Sequence, residues 1–225
     1  VYTPSTTMGT ECCGVVNLLN QQSRYIEGMF DPHMVGIQDI NNYFNHHRCI
    51  VNELQIIDPI TNSKKQYEIF GTYWRPEYNH RLLENLWSTG HSFIIHSPYI
   101  TTRVRETVRE IEANNNVSCD AHTYCGRADS KSFHPHSDES HNLIVQCSGQ
   151  TLWKVWDLST ERSQMFPDLN DDAMIEVVMK PGDAIFIAKG IVHQAKALTD
   201  RISVSFPFVP GLPTLQDEID LEWSQ

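Results

Sequence analysis

The sequence predicts a mainly β protein with α-helices, in which a double-stranded β-helix (jelly-roll) core follows a helical N-terminal portion. Three observations predict this fold class. Short apolar segments alternate with turns after Val117, the long helical patterns all lie before that residue, and no low-complexity linker separates the two parts. Many short strands joined by turns are typical of antiparallel barrels and jelly rolls. We expect residues 1–116 to pack on a barrel of residues 117–210, with 211–225 as a tail, in one domain overall.

The elements expected before residue 117 are mostly helices. Apolar residues recur there at helical spacing, which favours amphipathic helices with one buried face. The predicted helices are 14–29, 36–44, 77–87 and 101–112. Short strands are predicted at 52–57 and 66–70, on either side of a turn at 58–62, and at 93–95.

Short apolar runs after residue 117 predict six strands, at 119–125, 142–147, 152–157, 174–179, 184–188 and 201–208. Two glycine-containing turns separate the later ones, at 181–183 and at 189–190.

Composition narrows the possible partners and the compartment. The formal charge of −11 disfavours a nucleic-acid partner, because binding to phosphate requires a basic face. No apolar run approaches the roughly 20 residues of a membrane-spanning helix, and no signal peptide is visible, although the sequence begins at Val1. The six cysteines form no Cys-x-x-Cys pair, which favours free thiols in a reducing, cytoplasmic setting. The sequence does not indicate an oligomeric state.

The candidate metal ligands are two histidines and one aspartate. His136 and Asp138 are two residues apart, so on an extended strand both side chains point to the same side. His193 lies 55 residues after Asp138 and follows a turn, an apolar strand and a second turn. This separation spans about four strands, which a jelly roll needs to bring two strand ends together. Two histidines and one carboxylate on one face of an octahedron form the facial triad of non-haem iron(II) oxygenases.

The segment from His134 to Trp156 resembles the core of JmjC/cupin-type 2-oxoglutarate oxygenases. It is most similar to their ribosomal-oxygenase branch, in which His-x-Asp is followed by an apolar strand ending in Gln-x-x-Gly (Gln146 to Gly149) and then a Trp (Trp153). The segment 181–193 closely resembles the second cupin motif, whose histidine binds the metal. The resemblance implies an iron(II) dioxygenase that uses 2-oxoglutarate and O₂ to hydroxylate a C–H bond, with a protein or peptide side chain as substrate.

The sequence departs from this resemblance at Thr151. JmjC-type relatives carry Lys or Arg two residues after the glycine, where it pairs with the distal carboxylate of 2-oxoglutarate. Lys154 does not replace it, because alternation along the strand points it away from the side of Thr151. The best replacement is Arg201, with Ser203 on the same face of the next strand, since a guanidinium suits a bidentate carboxylate pair. Further candidates for hydrogen bonds to the cosubstrate are Thr151, Asn142, Tyr124 and Thr123.

Several alternatives stay open at this point. His134 forms a His-x-His pair with His136, as in other metal-binding cupins, and is a candidate for a further ligand. The chain could also be a metal cupin that does not use 2-oxoglutarate, such as a dioxygenase or isomerase of a small molecule. A third reading is a non-catalytic cupin-like binding module. The remaining histidines are expected at the surface or as hydrogen-bonded core residues, among them His46, His47, His91, His96, His122 and His141.

Overall fold

The computed structural model describes residues 22–46, 53–58, 60, 64–65, 79–128, 130, 133–156 and 173–211. The helices within these residues are α1 (Ile37–His46), α2 (His80–Ser88) and α3 (Thr102–Asn115), and a 3₁₀ turn covers Pro32–Met34. The strands are β1 (Arg24–Ile26), β2 (Leu54–Ile57), β3 (Lys64–Lys65), β4 (Ser92–His96), β5 (Val117–Cys119), β6 (His122–Gly126), β7 (His141–Ser148), β8 (Thr151–Trp156), β9 (Ile175–Met179), β10 (Ala184–Ile187), β11 (Val192–Ala197) and β12 (Arg201–Pro210).

Two antiparallel sheets form the core of the molecule. The larger sheet has the order β1-β10-β7-β12-β6-β4-β2-β3, with β5 also paired to β12, and the smaller has the order β11-β8-β9. Apolar side chains of both sheets pack together in one cluster, formed by Ile144, Trp153, Val155, Met179, Ile185 and Ile187. Two antiparallel sheets packed face to face over a shared core form a jelly roll, so the predicted fold class is confirmed.

The helices pack against a second apolar cluster on the larger sheet. Val104, Val108 and Ile111 of α3 are fully buried and share this cluster with Leu143 and Val145 of β7. The predicted amphipathic face of α3 is therefore confirmed, and the helix continues to Asn115. None of the helices in the described part of the chain has the length and apolarity needed to span a membrane.

Most of the predicted strands are confirmed, with shifts of one or two residues at their ends. The predicted strand at 119–125 is two strands, β5 and β6, because Asp120 and Ala121 lie between the segments that pair with β12. β11 was not predicted, since its mixed sequence shows no apolar alternation; pairing with β8 along its whole length forms it. The segments 66–70 and most of 58–62 lie outside the described residues.

The predicted helix at 14–29 is wrong in its described part, where Arg24–Ile26 form β1 and pair with β10. Asp183 is the physical reason, because its buried carboxylate accepts hydrogen bonds from the Tyr25 hydroxyl at 2.8 Å and from the Gly28 amide at 2.9 Å. Burial and this contact with Asp183 raise the pKa of Tyr25 to about 12, so the phenol stays a donor. These long-range contacts outweigh a weak local helical pattern.

The turn between β7 and β8 explains the glycine of the Gln-x-x-Gly motif. Gly149 has φ +69°, and a Cβ at this position would lie 1.9 Å from the Asp200 carbonyl oxygen.

We expect Gly149→Ala to lower the free energy of unfolding by roughly 3 kcal/mol or more, measured by urea denaturation, since a backbone clash adds to the left-handed strain of about 1–2 kcal/mol. Gly28→Ala is the matched control, because Gly28 has φ +60° with no atom within 4 Å of the added Cβ. Equal losses in both variants would contradict the role assigned to the close approach.

Candidate metal centre

Backbone pairing brings the two sequence motifs together. His136 and His193 form an isolated antiparallel bridge, in which the His136 amide donates to the His193 carbonyl at 3.1 Å and the His193 amide donates back at 2.8 Å. The Gly190 amide also donates to the Asp138 carbonyl at 2.9 Å. The turn before β11 is therefore held directly against the His136–Asp138 segment, and this fixes the distance between the three candidate ligands.

The side chains of His136, Asp138 and His193 converge on one point. One possible ligand atom from each lies within 4.8 Å of the others, and no other such His/Cys/Asp/Glu group occurs among the residues that the structure describes. The Nε2 atom of His193 lies 3.5 Å from Oδ2 of Asp138, and Nε2 of His136 lies 3.9 Å from Oδ1. An ion bound about 2.1 Å from each atom would place neighbouring ligand atoms roughly 3 Å apart, so the three side chains would move closer together around a bound ion.

Hydrogen bonds to backbone carbonyls set the tautomer of both histidines. Nδ1 of His136 lies 2.8 Å from the His134 carbonyl oxygen, and Nδ1 of His193 lies 3.0 Å from that of Ile191. A carbonyl only accepts, so each Nδ1 carries the proton and each neutral ring presents an Nε2 lone pair. Metal-binding imidazoles are usually held in this way, by a hydrogen bond from the ring nitrogen that does not bind the metal, and these residues fit a divalent metal ion.

Burial keeps His193 neutral. The residue is 4% exposed, and burial, followed by the nearby His136, lowers its pKa to about 4, although Asp138 acts in the opposite direction. Protonation therefore does not compete for its Nε2 near neutral pH.

Aromatic side chains pack around the two histidines. Phe133 contacts His136 edge to face with 5.3 Å between ring centroids, and Trp153 lies 6.1 Å from His193. Both also line the pocket next to the candidate ligands. The sequence motif contained Trp153, but its contact with His193 depends on the pairing of β8 with β11.

The register of β6 with β12 orders the polar residues from the base of the pocket to its mouth. Arg201 lies opposite Gly126, Ser203 opposite Tyr124, and Ser205 opposite His122. Tyr124, Arg201, Ser203 and Ser205 all line the pocket. Alternation along the strand explains why positions 201, 203 and 205 share this face.

Arg201 is a buried cation at the base of the pocket. The residue is 5% exposed, its Nη1 donates to Oγ of Ser203 at 2.6 Å, and its guanidinium carbon lies 5.9 Å from the Tyr124 ring centroid. Burial lowers the pKa of the Arg201 guanidinium, yet arginine stays charged in proteins. Burial and the nearby Asp138 raise the pKa of Tyr124, so its hydroxyl remains a donor. These groups together suit a carboxylate.

Three of the remaining sequence candidates have other surroundings. Thr123 and Thr151 are fully buried and do not line the pocket; Thr123 follows His122 and precedes Tyr124, so it points to the opposite face of β6. His134 contributes its carbonyl to His136, and its ring is outside the converging group. Asn142 does line the pocket, where it contacts Asp138.

An outer cavity opens from the same site. It shares Tyr124, His136 and Asp138 with the inner pocket. Its outer walls consist mainly of polar and imidazole side chains, including those of Gln55, His96, His122 and His134. His96 and His122, which the sequence left as surface or core residues, therefore line the mouth of the site.

The paired sheets and the converging His, Asp and His side chains define a cupin-type jelly-roll protein with a candidate single-metal site. Residues 95–215, slightly more than half of the chain, match the JmjC domain family. The chain belongs to the JmjC domain family.

Proteins that are similar to this chain in sequence include ribosomal oxygenases, as the sequence resemblance predicted. Ribosomal oxygenase 1 of Gallus gallus is 29% identical over 92 residues, which cover 37% of this chain and 15% of that protein. The bifunctional lysine-specific demethylase and histidyl-hydroxylase NO66 of Caenorhabditis elegans is 33% identical over 86 residues, which cover 34% of this chain and 12% of that protein. The matches thus span a small part of each relative.

Solved structures of YcfD from Escherichia coli share the fold. One has a TM-score of 0.61 at 16% sequence identity and covers 91% of this chain and 53% of YcfD. Another, YcfD in complex with cobalt and 2-oxoglutarate, has a TM-score of 0.55 at 14% identity and covers 89% of this chain and 51% of YcfD. The chain therefore spans about half the length of this ribosomal oxygenase.

Proposed function

We propose that this protein is an Fe(II)- and 2-oxoglutarate-dependent oxygenase that hydroxylates a C–H bond of a protein or peptide side chain. The observation that carries the proposal is the convergence of two Nε2 atoms and one carboxylate beside a pocket with a buried arginine at its base. In the overall reaction 2-oxoglutarate and O₂ yield succinate and CO₂. One oxygen atom enters succinate and the other enters the product hydroxyl.

His136, Asp138 and His193 would hold the iron(II) ion. When bound, such an ion with three open positions supplies the activation of O₂ that no side chain can provide. The chain's own contribution is to fix the imidazole tautomers, keep His193 neutral and surround the site with Phe133 and Trp153. Such apolar walls exclude water from the reacting groups.

Arg201 would bind the distal carboxylate of 2-oxoglutarate in place of the cation missing at Thr151. The guanidinium is buried and held by Ser203, so it loses little side-chain entropy when an anion binds. The Tyr124 hydroxyl lies on the opposing strand at the level of Ser203 and would add a second type of donor. Charge-assisted hydrogen bonds of this kind are about twice as strong as neutral ones.

The outer cavity supports a polypeptide substrate. Its opening next to His136 and Asp138 would admit one side chain, and the polar rim would leave the flanking main chain outside. The relatives named as histidyl-hydroxylase and lysine-specific demethylase indicate that protein side chains are used as substrates in this branch.

Purified protein incubated with iron(II), ascorbate and 2-oxoglutarate tests the proposal. We expect formation of succinate that requires both iron and O₂, since the proposed oxidative decarboxylation of 2-oxoglutarate depends on both. Stoichiometric iron binding without any succinate, in the presence or absence of a peptide pool, would contradict it.

A metal cupin that acts on a small molecule without 2-oxoglutarate is the second candidate. Thr151 favours it, because this residue stands where relatives carry the cation and is buried away from the pocket. This alternative predicts iron binding together with no measurable affinity for 2-oxoglutarate.

A further inference from the structure

Asn142 connects the candidate ligand Asp138 to the opposite strand. Its Nδ2 donates to Oδ2 of Asp138 at 2.7 Å, and its Oδ1 accepts from the Ser205 hydroxyl at 3.0 Å. Asn142 and Ser205 are both 5% exposed, so the hydrogen bond between them is shielded from bulk water, whereas the Asp138 side chain is 38% exposed. The sequence predicted that Asn142 hydrogen-bonds to the cosubstrate, and it predicted no role for Ser205.

The direction of these hydrogen bonds fixes the orientation of the carboxamide. A carboxylate only accepts, so the group of Asn142 that faces Asp138 must be the NH₂. Its carbonyl then faces Ser205, whose hydroxyl donates to it. Rotation of the amide by half a turn would set a carbonyl against the carboxylate, so Asp138 excludes that orientation, and Ser205 holds the productive one by donating to Oδ1.

We propose that Asn142, oriented by Ser205, is a positioning residue that keeps Asp138 a single-oxygen metal ligand. The hydrogen bond uses a lone pair of Oδ2, which leaves Oδ1, 3.9 Å from Nε2 of His136, as the freer oxygen and disfavours chelation of one ion through both carboxylate oxygens. A carboxylate that offers one oxygen leaves a coordination position open for an incoming oxygen ligand. The inference rests on the proposed metal-dependent function, but it concerns the binding and geometry of the ion rather than turnover.

The position of the two residues in the sheet supports this role. Asn142 lies on β7, at the end nearest Asp138, and Ser205 lies on β12 opposite Ile144 of the same strand. The two side chains are therefore diagonal neighbours across a strand pair in the larger sheet. The carboxylate of Asp138 is thereby connected to the sheet core, in addition to the backbone contacts that its own segment makes through the bridge at His136 and the contact with Gly190.

Cobalt(II) binding to the apo-protein tests the inference, with the metal dissociation constant and the visible spectrum as readouts. Asn142→Leu removes both hydrogen bonds at similar volume and is expected to weaken cobalt binding by about 10- to 100-fold. Its cobalt spectrum should also change, because Asp138 becomes free to chelate.

Ser205→Ala should weaken cobalt binding several-fold, and Ser205→Thr, which keeps the hydroxyl, should restore it. The double variant Asn142→Leu/Ser205→Ala should be no weaker than Asn142→Leu, since both residues act through one hydrogen-bond chain.

Ser88→Ala is the control, because it removes a hydroxyl bonded to the Asn85 carbonyl at an exposed position of α2. Unchanged cobalt affinity and spectrum in Asn142→Leu, with weaker 2-oxoglutarate binding, would overturn the inference in favour of a direct role toward the cosubstrate. If Asn142→Leu does not fold, unchanged cobalt affinity and spectrum in Ser205→Ala would overturn it. A protein that shows the expected cobalt behaviour but forms no succinate would contradict the proposed function and leave this inference supported.

Discussion

Asp138→Ala is expected to reduce iron-dependent succinate formation to the background of the assay. The substitution removes the anionic ligand of the proposed triad and leaves two neutral imidazoles, which hold a divalent ion far less strongly. His193→Ala should have the same effect, because it removes one of the two imidazole ligands of the proposed triad. Succinate measured by mass spectrometry under saturating iron and 2-oxoglutarate checks both variants.

Glu139→Ala is the matched control for Asp138→Ala. Glu139 is the adjacent acidic residue, but its side chain is exposed and pairs with Lys189 at 3.2 Å, outside the converging group. We expect this control to retain wild-type activity, since exposed ion pairs contribute little. Activity in Asp138→Ala equal to that of Glu139→Ala would show that the carboxylate of Asp138 does not bind the ion.

Arg201→Met is expected to weaken 2-oxoglutarate binding by roughly 10- to 100-fold, because a hydrogen bond to a charged group contributes about 1.5–3 kcal/mol. Methionine preserves most of the side-chain length and leaves no buried charge. Iron affinity should change little, since Arg201 lies at the base of the pocket rather than among the ligands. Calorimetric titration of the metal-loaded protein with 2-oxoglutarate, compared with the same titration of Arg201→Lys, measures the effect. The lysine variant should recover part of the affinity, because it restores the charge without the planar fork.

Lys154→Met is the control for Arg201→Met. Lys154 is on β8, the strand on which JmjC-type relatives carry the cation, but its ammonium group pairs with Glu176 at 3.1 Å on the outer side. Unchanged 2-oxoglutarate affinity in Arg201→Met, or an equal loss in Lys154→Met, would refute the role proposed for Arg201. In that case the small-molecule cupin alternative would gain support.

The sequence predicted the jelly roll and the proximity of His136, Asp138 and His193, because both depend on local patterns. Alternating apolar residues define strands, and the spacing of two motifs determines which strand ends can meet. The same alternation could have excluded Thr123, since adjacent residues of one strand cannot both face the pocket. Of the two adjacent residues, Tyr124 is the one whose side chain can face the pocket together with Arg201 and Ser203.

Other features could not be predicted because they depend on pairing between distant segments. β11 lacks an apolar pattern and forms because it pairs with β8. The strand at Arg24–Ile26 forms because it pairs with β10 and is hydrogen-bonded to Asp183. The hydrogen bond from Asn142 to Asp138 likewise depends on how closely the end of β7 approaches the ligand segment. The sequence alone does not show whether a residue four positions after a ligand forms a hydrogen bond to that ligand.

Anaerobic titration of the apo-protein with iron(II), followed by 2-oxoglutarate, tests the central claim most directly. The proposed site predicts one equivalent of bound iron, then one equivalent of 2-oxoglutarate with a new visible absorption band that requires both. The band should be lost in Asp138→Ala and should need much more 2-oxoglutarate in Arg201→Met. Failure to bind iron(II), or iron binding that does not depend on Asp138 and gives no band with 2-oxoglutarate, would contradict the account.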